Sequence, residues 1–240
     1  MMSNQWVIPD IHGCYYTLKK LLEDKIKISK SDELYFLGDI IDRGKHSKQV
    51  LDYLIDLETQ GYQIKPIKGN HEEYFISAYE SELAHKKTIF GKAHSKDFMF
   101  WYKVGGKETL QSFDLKRLEE IPDSYIKWIN KLPYYYILDK YVIVHAGLNF
   151  NIENPFRDKS FMLNCTNFEV IPEKIQHKTI IHGHIPLSME GIETLKKEKD
   201  TFHYICIDNG CYYEKNDAYG SLLALNLKDL EFVSQVNIDE

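Results

Sequence analysis

The sequence predicts a layered α/β fold with a helical insertion, and two observations lead to this prediction. Short apolar runs rich in Val, Ile, Tyr and Phe alternate with stretches in which apolar residues recur at helical spacing. Several runs are continuously apolar, which is typical of strands buried between two layers. Strand–helix–strand alternation with short links favours α/β layers in a single domain over residues 1–240.

The predicted elements follow one another in a regular order. Six runs have the composition of strands: Gln5–Pro9, Leu34–Leu37, Ile64–Lys68, Tyr141–Val144, Lys178–Ile181 and Phe202–Ile207. Helices are predicted at Tyr16–Glu23 and Ser47–Gln60, where apolar side chains share one face. Residues 72–130 show helical patterning without a clear strand, which indicates an inserted helical subdomain. The sheet resumes at Leu132–Leu138, and Ser221–Val236 predicts two more strands.

Five short segments place polar side chains directly behind apolar runs. They are Pro9–Gly13, Gly38–Gly44, Gly69–Glu72, Val144–Gly147 and His182–His184. A single segment would be weak evidence, because a lone Asp is usually a turn residue and a lone His is usually a core residue. Five segments with Asp, Asn and His at their tips predict a two-metal site that hydrolyses phosphate esters.

Chemistry sorts these side chains into two ligand sets. Asp10 and His12 are two residues apart at a strand end and point the same way, so with Asp39 they would hold one ion. The carboxylate of Asp39 has two oxygens and can bridge both ions. The second ion would be held by Asp39 together with Asn70, His145 and His184. Mixed oxygen and nitrogen ligands favour two divalent ions, Mn²⁺ first and Fe or Zn as alternatives, over Mg²⁺ or Ca²⁺.

Three further side chains are candidates for the chemical step. His71 follows the predicted ligand Asn70 and is the natural general acid for the leaving oxygen. Asp42 would orient that imidazole, and Arg43 offers a planar fork suited to two phosphate oxygens. The predicted enzyme is therefore a metal-dependent phosphoric ester hydrolase in which metal-bound hydroxide attacks phosphorus.

Charge and cysteine spacing disfavour other classes of protein. The net charge of −6 argues against a nucleic-acid groove, and no run approaches a membrane span. No signal peptide is evident, so we expect a cytoplasmic protein without membrane partners. The four cysteines show no metal-binding spacing, and none has an arginine six residues later, as a cysteine-based phosphatase requires.

The five segments resemble the signature of the metallophosphoesterase superfamily, in its phosphoprotein phosphatase branch. The family pattern reads Gly-Asp-x-His-Gly, Gly-Asp-x-Val-Asp-Arg-Gly, Gly-Asn-His-Glu, Val-His-Ala-Gly and Gly-His-Thr. Trp101–Phe113 and Ile207–Cys211 are similar to segments of bacterial serine/threonine protein phosphatases and symmetrical diadenosine tetraphosphate hydrolases. The resemblance implies a four-layer α-β-β-α sandwich with a helical insertion. It also implies, at the matching positions, the roles assigned above.

The chain departs from the family pattern in four ways. Pro9 replaces the first glycine, and Gly-His-Thr reads Gly183–Ile185. His182 is an additional histidine, which we expect to line the site and contact substrate rather than to bind metal. Leu163–Cys165 replaces the family's Trp-Ile-Arg, whose arginine is a second phosphate clamp. Arg157 is a candidate substitute for that arginine, and a solvated loop arginine is the alternative.

Four functions are weighed. The lead hypothesis is a serine/threonine protein phosphatase acting on phosphomonoesters. The nearest alternative is symmetrical hydrolysis of diadenosine tetraphosphate to ADP, for which some of the 17 Tyr and 12 Phe side chains would stack on adenine. The complete ligand set disfavours a non-catalytic binding module, and the charge disfavours a nucleic-acid phosphodiesterase. The expected partner is a phosphoprotein or a small phosphorylated molecule.

Overall fold

The computed structural model describes residues 3–88, 94–213 and 218–239. The strands in these ranges are β1 Gln5–Ile8, β2 Glu33–Phe36, β3 Gln63–Pro66, β4 Tyr135–Ile137, β5 Tyr141–Val144, β6 Thr179–His182, β7 Tyr204–Cys206, β8 Ser221–Asn226 and β9 Phe232–Val236. The α-helices are α1 Tyr15–Lys20, α2 Ser47–Thr59, α3 Asn70–Thr88, α4 Lys96–Trp101, α5 Lys107–Ser112, α6 Asp123–Asn130, α7 Lys159–Asn164, α8 Met189–Lys197 and α9 Lys199–Phe202. π-Helical turns extend α1 over Leu21–Ile26 and join α4 to α5 over Tyr102–Gly106. Each strand predicted from the sequence has a counterpart at the expected place.

The strands form two mixed sheets. Sheet A has the order β3-β2-β1-β8-β9, and β1, β2 and β3 run parallel. Sheet B has the order β4-β5-β6-β7, with β5, β6 and β7 parallel and β4 antiparallel at its edge. Parallel strands end at one edge of their sheet, so the loops that follow them lie side by side.

Apolar side chains pack on both faces of each sheet. Val7 of sheet A packs with Ile143 and Ile181 of sheet B in a buried layer between the sheets. Because side chains alternate along a strand, Ile8 belongs to the core under α1 and α2, and Val142 belongs to the core under α7. The resulting layers are those of the predicted α-β-β-α sandwich. This arrangement also explains why the strands are continuously apolar.

The described residues between β3 and β4 form α3 to α6 and no strand. Helix α3 begins at Asn70, two residues before the predicted start of the insertion. The ring of Phe75 in α3 packs 5.6 Å from that of Trp101 at the end of α4, and both rings join the core on the outer face of sheet A. Over the ranges that the structure describes, no helix combines the length and apolarity needed to cross a membrane.

Candidate metal centre

Five of the predicted ligands follow parallel strands at the edge where those strands end. Asp10, Asp39 and Asn70 follow β1, β2 and β3, whereas His145 and His184 follow β5 and β6. All are buried except His184, which is partly exposed. The structure brings ligands from the two sheets together, since Nε2 of His145 lies 2.8 Å from Oδ1 of Asn70 and 3.1 Å from Nδ1 of His184.

Asp39 lies between two groups of possible ligand atoms. Its Oδ2 is 3.5 Å from Nε2 of His12, and its Oδ1 is 3.6 Å from Nε2 of His145. The ligand atoms of Asp39, His145 and His184 all lie within 4.8 Å of one another, as do those of Asp39, His12 and His71. A carboxylate whose two oxygens face different imidazoles has the arrangement that a bridging ligand needs.

The imidazoles direct lone pairs towards Asp39. Nδ1 of His12 lies 3.0 Å from the carbonyl oxygen of Ile41, and Nδ1 of His145 lies 2.7 Å from that of Leu37. Because a carbonyl only accepts, each Nδ1 carries the proton and each Nε2 keeps its lone pair. Burial lowers the pKa of both histidines and favours the neutral form that binds metal.

Three buried carboxylates lie close together at this edge. Burial, followed by the charges of Asp208 and Asp39, raises the pKa of Asp10 well above its ordinary value. Asp208 lies two residues after the end of β7, and burial is the largest factor raising its pKa to about 7. Asp10 lies outside both compact donor groups, and its Oδ1 accepts a hydrogen bond from the backbone N–H of His184 at 3.2 Å.

Divalent cations fit this donor set. Buried carboxylates without a counter-charge cost free energy, and here they meet imidazole lone pairs and an amide oxygen. Sequence reasoning gave Asp208 no role, although its place directly behind an apolar run was the same signal that identified the other ligands.

His71 is paired with a buried carboxylate. Its Nδ1 lies 2.8 Å from Oδ2 of Asp42, and both side chains are buried, with exposed fractions of 1% and 0%. Although burial lowers the pKa of His71, the charges of Asp39 and Asp42 and the hydrogen bond to Asp42 raise it above its ordinary value. A protonated imidazole held in one orientation can donate a proton, as the predicted role of His71 as general acid requires.

Asp42 is held by the helical insertion. Its Oδ1 accepts a hydrogen bond of 2.6 Å from Oγ1 of Thr109, and its Oδ2 accepts one of 3.0 Å from Nε1 of Trp101. Its backbone N–H lies 3.0 Å from the hydroxyl oxygens of Ser47 and Thr109. Resemblance singled out the segment that contains Trp101 and Thr109 but gave these residues no role. The structure shows that they position Asp42.

Glu72 holds the loop that carries Asp39. Its Oε2 accepts hydrogen bonds from the backbone N–H groups of Asp39 at 2.8 Å and Gly69 at 2.9 Å, and its Oε1 accepts from those of Ile40 at 2.8 Å and Ile41 at 3.3 Å. Burial and the neighbouring Asp39 raise the pKa of Glu72 to about 7. Sequence reasoning missed this function, and its only signal was the place of Glu72 in the Gly69–Glu72 motif.

Arg43 lies at the edge of the donor groups. Its Nη1 is 2.9 Å from Nε2 of His12, and its guanidinium lies 4.5 Å from the ring centre of Tyr212. A cavity of about 620 Å³ opens beside it and is also lined by the exposed side chains of Lys103 and Lys107. Together with Arg43, these lysines outnumber Glu108, the one carboxylate of the described lining, so the cavity beside the donor groups carries net positive charge.

The two remaining candidates lie apart from the donor groups. Arg157 is exposed and lines a cavity of about 590 Å³ with Glu153 and Lys174, and none of the predicted metal ligands lines that cavity. His182 is buried, lies outside both compact donor groups, and has its Nδ1 3.2 Å from the carbonyl oxygen of Gly183. A role in substrate binding stays a prediction for both residues.

Fold and site together define the class of this protein. Two packed sheets carry carboxylate, amide and imidazole ligands on the loops behind their parallel strands, which is the construction of a metallophosphoesterase. The chain belongs to the calcineurin-like phosphoesterase family, whose model matches residues 4–218.

Curated relatives share one name. The symmetrical bis(5'-nucleosyl)-tetraphosphatase of Buchnera aphidicola subsp. Schizaphis graminum is 39% identical over 48% of this chain and 38% of its own length. The protein of the same name from Haemophilus ducreyi is 27% identical over 67% of this chain and 49% of its own length. The chain thus spans less than half the length of these relatives.

Solved structures show a similar fold. A crystal structure of a proposed diadenosine tetraphosphatase has a TM-score of 0.61 at 15% identity, and the match covers 100% of this chain and 96% of that one. A protein serine/threonine phosphatase from Saccharomyces cerevisiae has a TM-score of 0.52 at 14% identity, with 98% and 79% covered. At these identities the likeness extends to the fold alone.

Proposed function

We propose that this chain is a metal-dependent hydrolase of dinucleoside tetraphosphates, which cleaves diadenosine tetraphosphate symmetrically and releases ADP. The observation that carries the choice of substrate is the name shared by its curated relatives. This proposal reverses the order in the sequence analysis, where a protein phosphatase came first. Both reactions are hydrolytic attacks on phosphorus at a metal site. The bond that breaks is a phosphoanhydride in the tetraphosphate and a phosphoester in a phosphoprotein.

The donor groups account for two cations. His12 and Asp39 would hold one ion with Asp10 close by, and the second would be held by Asp39, Asn70, His145 and His184. Divalent ions in such a site polarise phosphoryl oxygens and activate water as a nucleophile. Mixed imidazole and oxygen ligands suit Mn²⁺, which is the ion we propose, and also suit Fe and Zn.

The chain's own side chains supply binding and proton transfer. Arg43 binds phosphoryl oxygens through its planar fork, and packing on Tyr212 fixes the plane of the guanidinium. His71 gives the proton on Nε2 to the leaving oxygen while Asp42 holds its Nδ1. Trp101 keeps the Asp42 carboxylate in place, so the insertion takes part in orienting the acid.

The cavity beside Arg43 supports a polyphosphate substrate. Lys103 and Lys107, both exposed at the surface, line it together with Arg43 and outnumber the carboxylate of Glu108. A phosphorylated serine presents a single phosphate, whereas a tetraphosphate chain carries several charges that these ammonium groups can neutralise. The exposed ring of Tyr102 lines the same cavity and offers an apolar face for a base.

Product chromatography tests this proposal. The Mn²⁺-loaded chain is given diadenosine tetraphosphate or a phosphothreonine peptide, and we expect ADP as the preferred product. Release of phosphate from the peptide with higher kcat/KM would support the protein phosphatase, and AMP with ATP would show asymmetrical cleavage. His71→Gln should lower turnover, whereas His177→Gln, an exposed histidine outside the site, is the matched control.

A further inference from the structure

A further pocket lies on the outer face of sheet B, the face turned away from sheet A. We call it the outer-face pocket. Its volume is about 660 Å³, within the range of about 300–1,000 Å³ that is usual for small-molecule sites. Among the described residues, four aromatic rings line it: Phe168, His182, Phe202 and Tyr204. The ring centres of Phe168, His182 and Tyr204 lie 5.1 to 5.4 Å apart, and that of Phe202 lies 5.8 Å from Tyr204, so together they form one aromatic wall.

His182 contributes an unpaired acceptor to this wall. His182 is only 7% exposed, and among the described residues its buried Nε2 has no hydrogen-bond partner. Nδ1 lies 3.2 Å from the carbonyl oxygen of Gly183, which only accepts, so the proton is on Nδ1 and Nε2 carries a lone pair. A buried acceptor without a donor costs free energy, and a ligand N–H in the pocket would remove that cost.

The rim of the pocket selects against anions. Glu190 and Glu198 line it, and no lysine or arginine among the described residues does so. Carboxylates repel a phosphate or a carboxylate and accept hydrogen bonds from amino groups. The ligand that fits has a flat apolar ring for the aromatic wall, an amino group for Nε2 of His182, and no negative charge.

We propose that the outer-face pocket binds a planar amino-substituted nitrogen heterocycle, such as the adenine ring of a nucleoside, with its amino group donating to Nε2 of His182.

The pocket opens where the family's second clamp arginine is replaced, because Cys165 stands at that position and lines it. Cys165 also lines a cavity of about 400 Å³ together with Asn164. Asn164 accepts a hydrogen bond of 2.7 Å from Tyr74, whose ring lies 5.7 Å from that of His71. Side-chain contacts through Asn164 and Tyr74 thus lead from the neighbour of Cys165 to the ring of His71.

Adenosine is the probe, because it has the amino heterocycle but no phosphate for the metal site. Calorimetric titration of the Mn²⁺-loaded chain should show saturable one-to-one binding. Purine riboside, which lacks the amino group, should bind about tenfold more weakly, since one hydrogen bond to a buried acceptor is lost. This comparison uses the unmodified protein and does not depend on any variant folding.

Variants locate the site. Thr194→Trp fills the pocket from α8 and should abolish adenosine binding, whereas Lys197→Trp, on the same helix but outside the lining, should leave it unchanged. In His182→Phe, adenosine and purine riboside should bind equally, because the acceptor is gone while the ring remains. Turnover of p-nitrophenyl phosphate should stay the same in Thr194→Trp, so the result is independent of the proposed function.

Three outcomes would overturn the proposal. These are no adenosine binding by the native chain, unchanged binding in a folded Thr194→Trp variant, and a preference for adenosine over purine riboside that persists in His182→Phe.

Discussion

Glu72→Gln tests whether a single buried carboxylate holds the Asp39 loop in place. The two oxygens of Glu72 accept from four backbone N–H groups, two on each oxygen. Glutamine has the same shape but offers only one oxygen, and its NH₂ group must face two of those N–H donors. Rotating the amide by half a turn only changes which pair is left without an acceptor.

The expected loss follows from this geometry. Each buried donor left without a partner costs about 1–3 kcal/mol, so two cost about 2–6 kcal/mol. This is a large part of the roughly 5–15 kcal/mol that stabilises a typical domain. The loop responds as well, because Asp39 has a left-handed φ of +47°, which this hydrogen bonding helps to maintain. Affinity for the divalent ion should fall with stability.

Urea denaturation measures the loss of stability, and Mn²⁺ titration measures the loss of affinity. Both are done at pH 8, because burial and Asp39 raise the pKa of Glu72 to about 7 and its carboxylate is ionised above that pH. Glu80→Gln is the matched control on the same helix, α3. The side chain of Glu80 is exposed, so this substitution should cost no more than about 0.5 kcal/mol. Losses in free energy of unfolding that agree within about 0.5 kcal/mol between the two variants would refute the reasoning.

Three further predictions follow from the site and its supports. His71→Gln should lower kcat about 10²–10⁴-fold for phenyl phosphate and less for p-nitrophenyl phosphate, whose leaving group needs no proton; equal losses in steady-state kinetics would contradict the general acid. Gly105→Ala should destabilise by at least about 1–3 kcal/mol in urea, because Gly105 has φ +129° and a Cβ would lie 2.6 Å from the backbone nitrogen of Arg43. Gly61→Ala is its control, because Gly61 has φ +91° but no atom of the described residues lies within 4 Å of its added Cβ. Equal losses of stability in the two variants would show that the close contact at Gly105 has no effect. Although burial raises the pKa of Asp32, hydrogen bonds from two backbone N–H groups and a serine hydroxyl lower it overall. Its stabilising contribution is therefore present above about pH 4 and lost as the pH falls through the lowered pKa; Asp32→Asn should cost about 1–3 kcal/mol at pH 7 and much less at about pH 2, and a constant difference would contradict the assignment.

The local parts of the site could be predicted from the sequence. Each predicted ligand stands within a few residues of an apolar run, and strand and ligand form one short pattern. The His71–Asp42 pairing was also predictable, because the structure places these side chains 2.8 Å apart as the chemistry suggested. One feature of the geometry was not predictable, because the ligand atom of His71, rather than one of Asp10, lies in the compact group with His12 and Asp39. The assignment of ligands to the two ions stays a prediction.

The supporting contacts could not be predicted, because they join distant parts of the chain. Thr109 reaches Asp42 across 67 positions, and Trp101 reaches it across 59. Neither residue carries a charge or a metal-binding group, so composition alone gives no reason to connect them with catalysis.

The sequence by itself determined where the strands lie and which class of reaction the protein catalyses. It also supplied the predicted ligands, because a strand followed by a turn places a side chain through local backbone geometry. The tertiary structure alone decided which side chains meet. Asp39 faces both His12 and His145 only because sheet A packs against sheet B, and the outer-face pocket exists only because α8 covers the end of β6 and β7. Such convergence depends on packing between elements far apart in the chain, and no short stretch of residues specifies it.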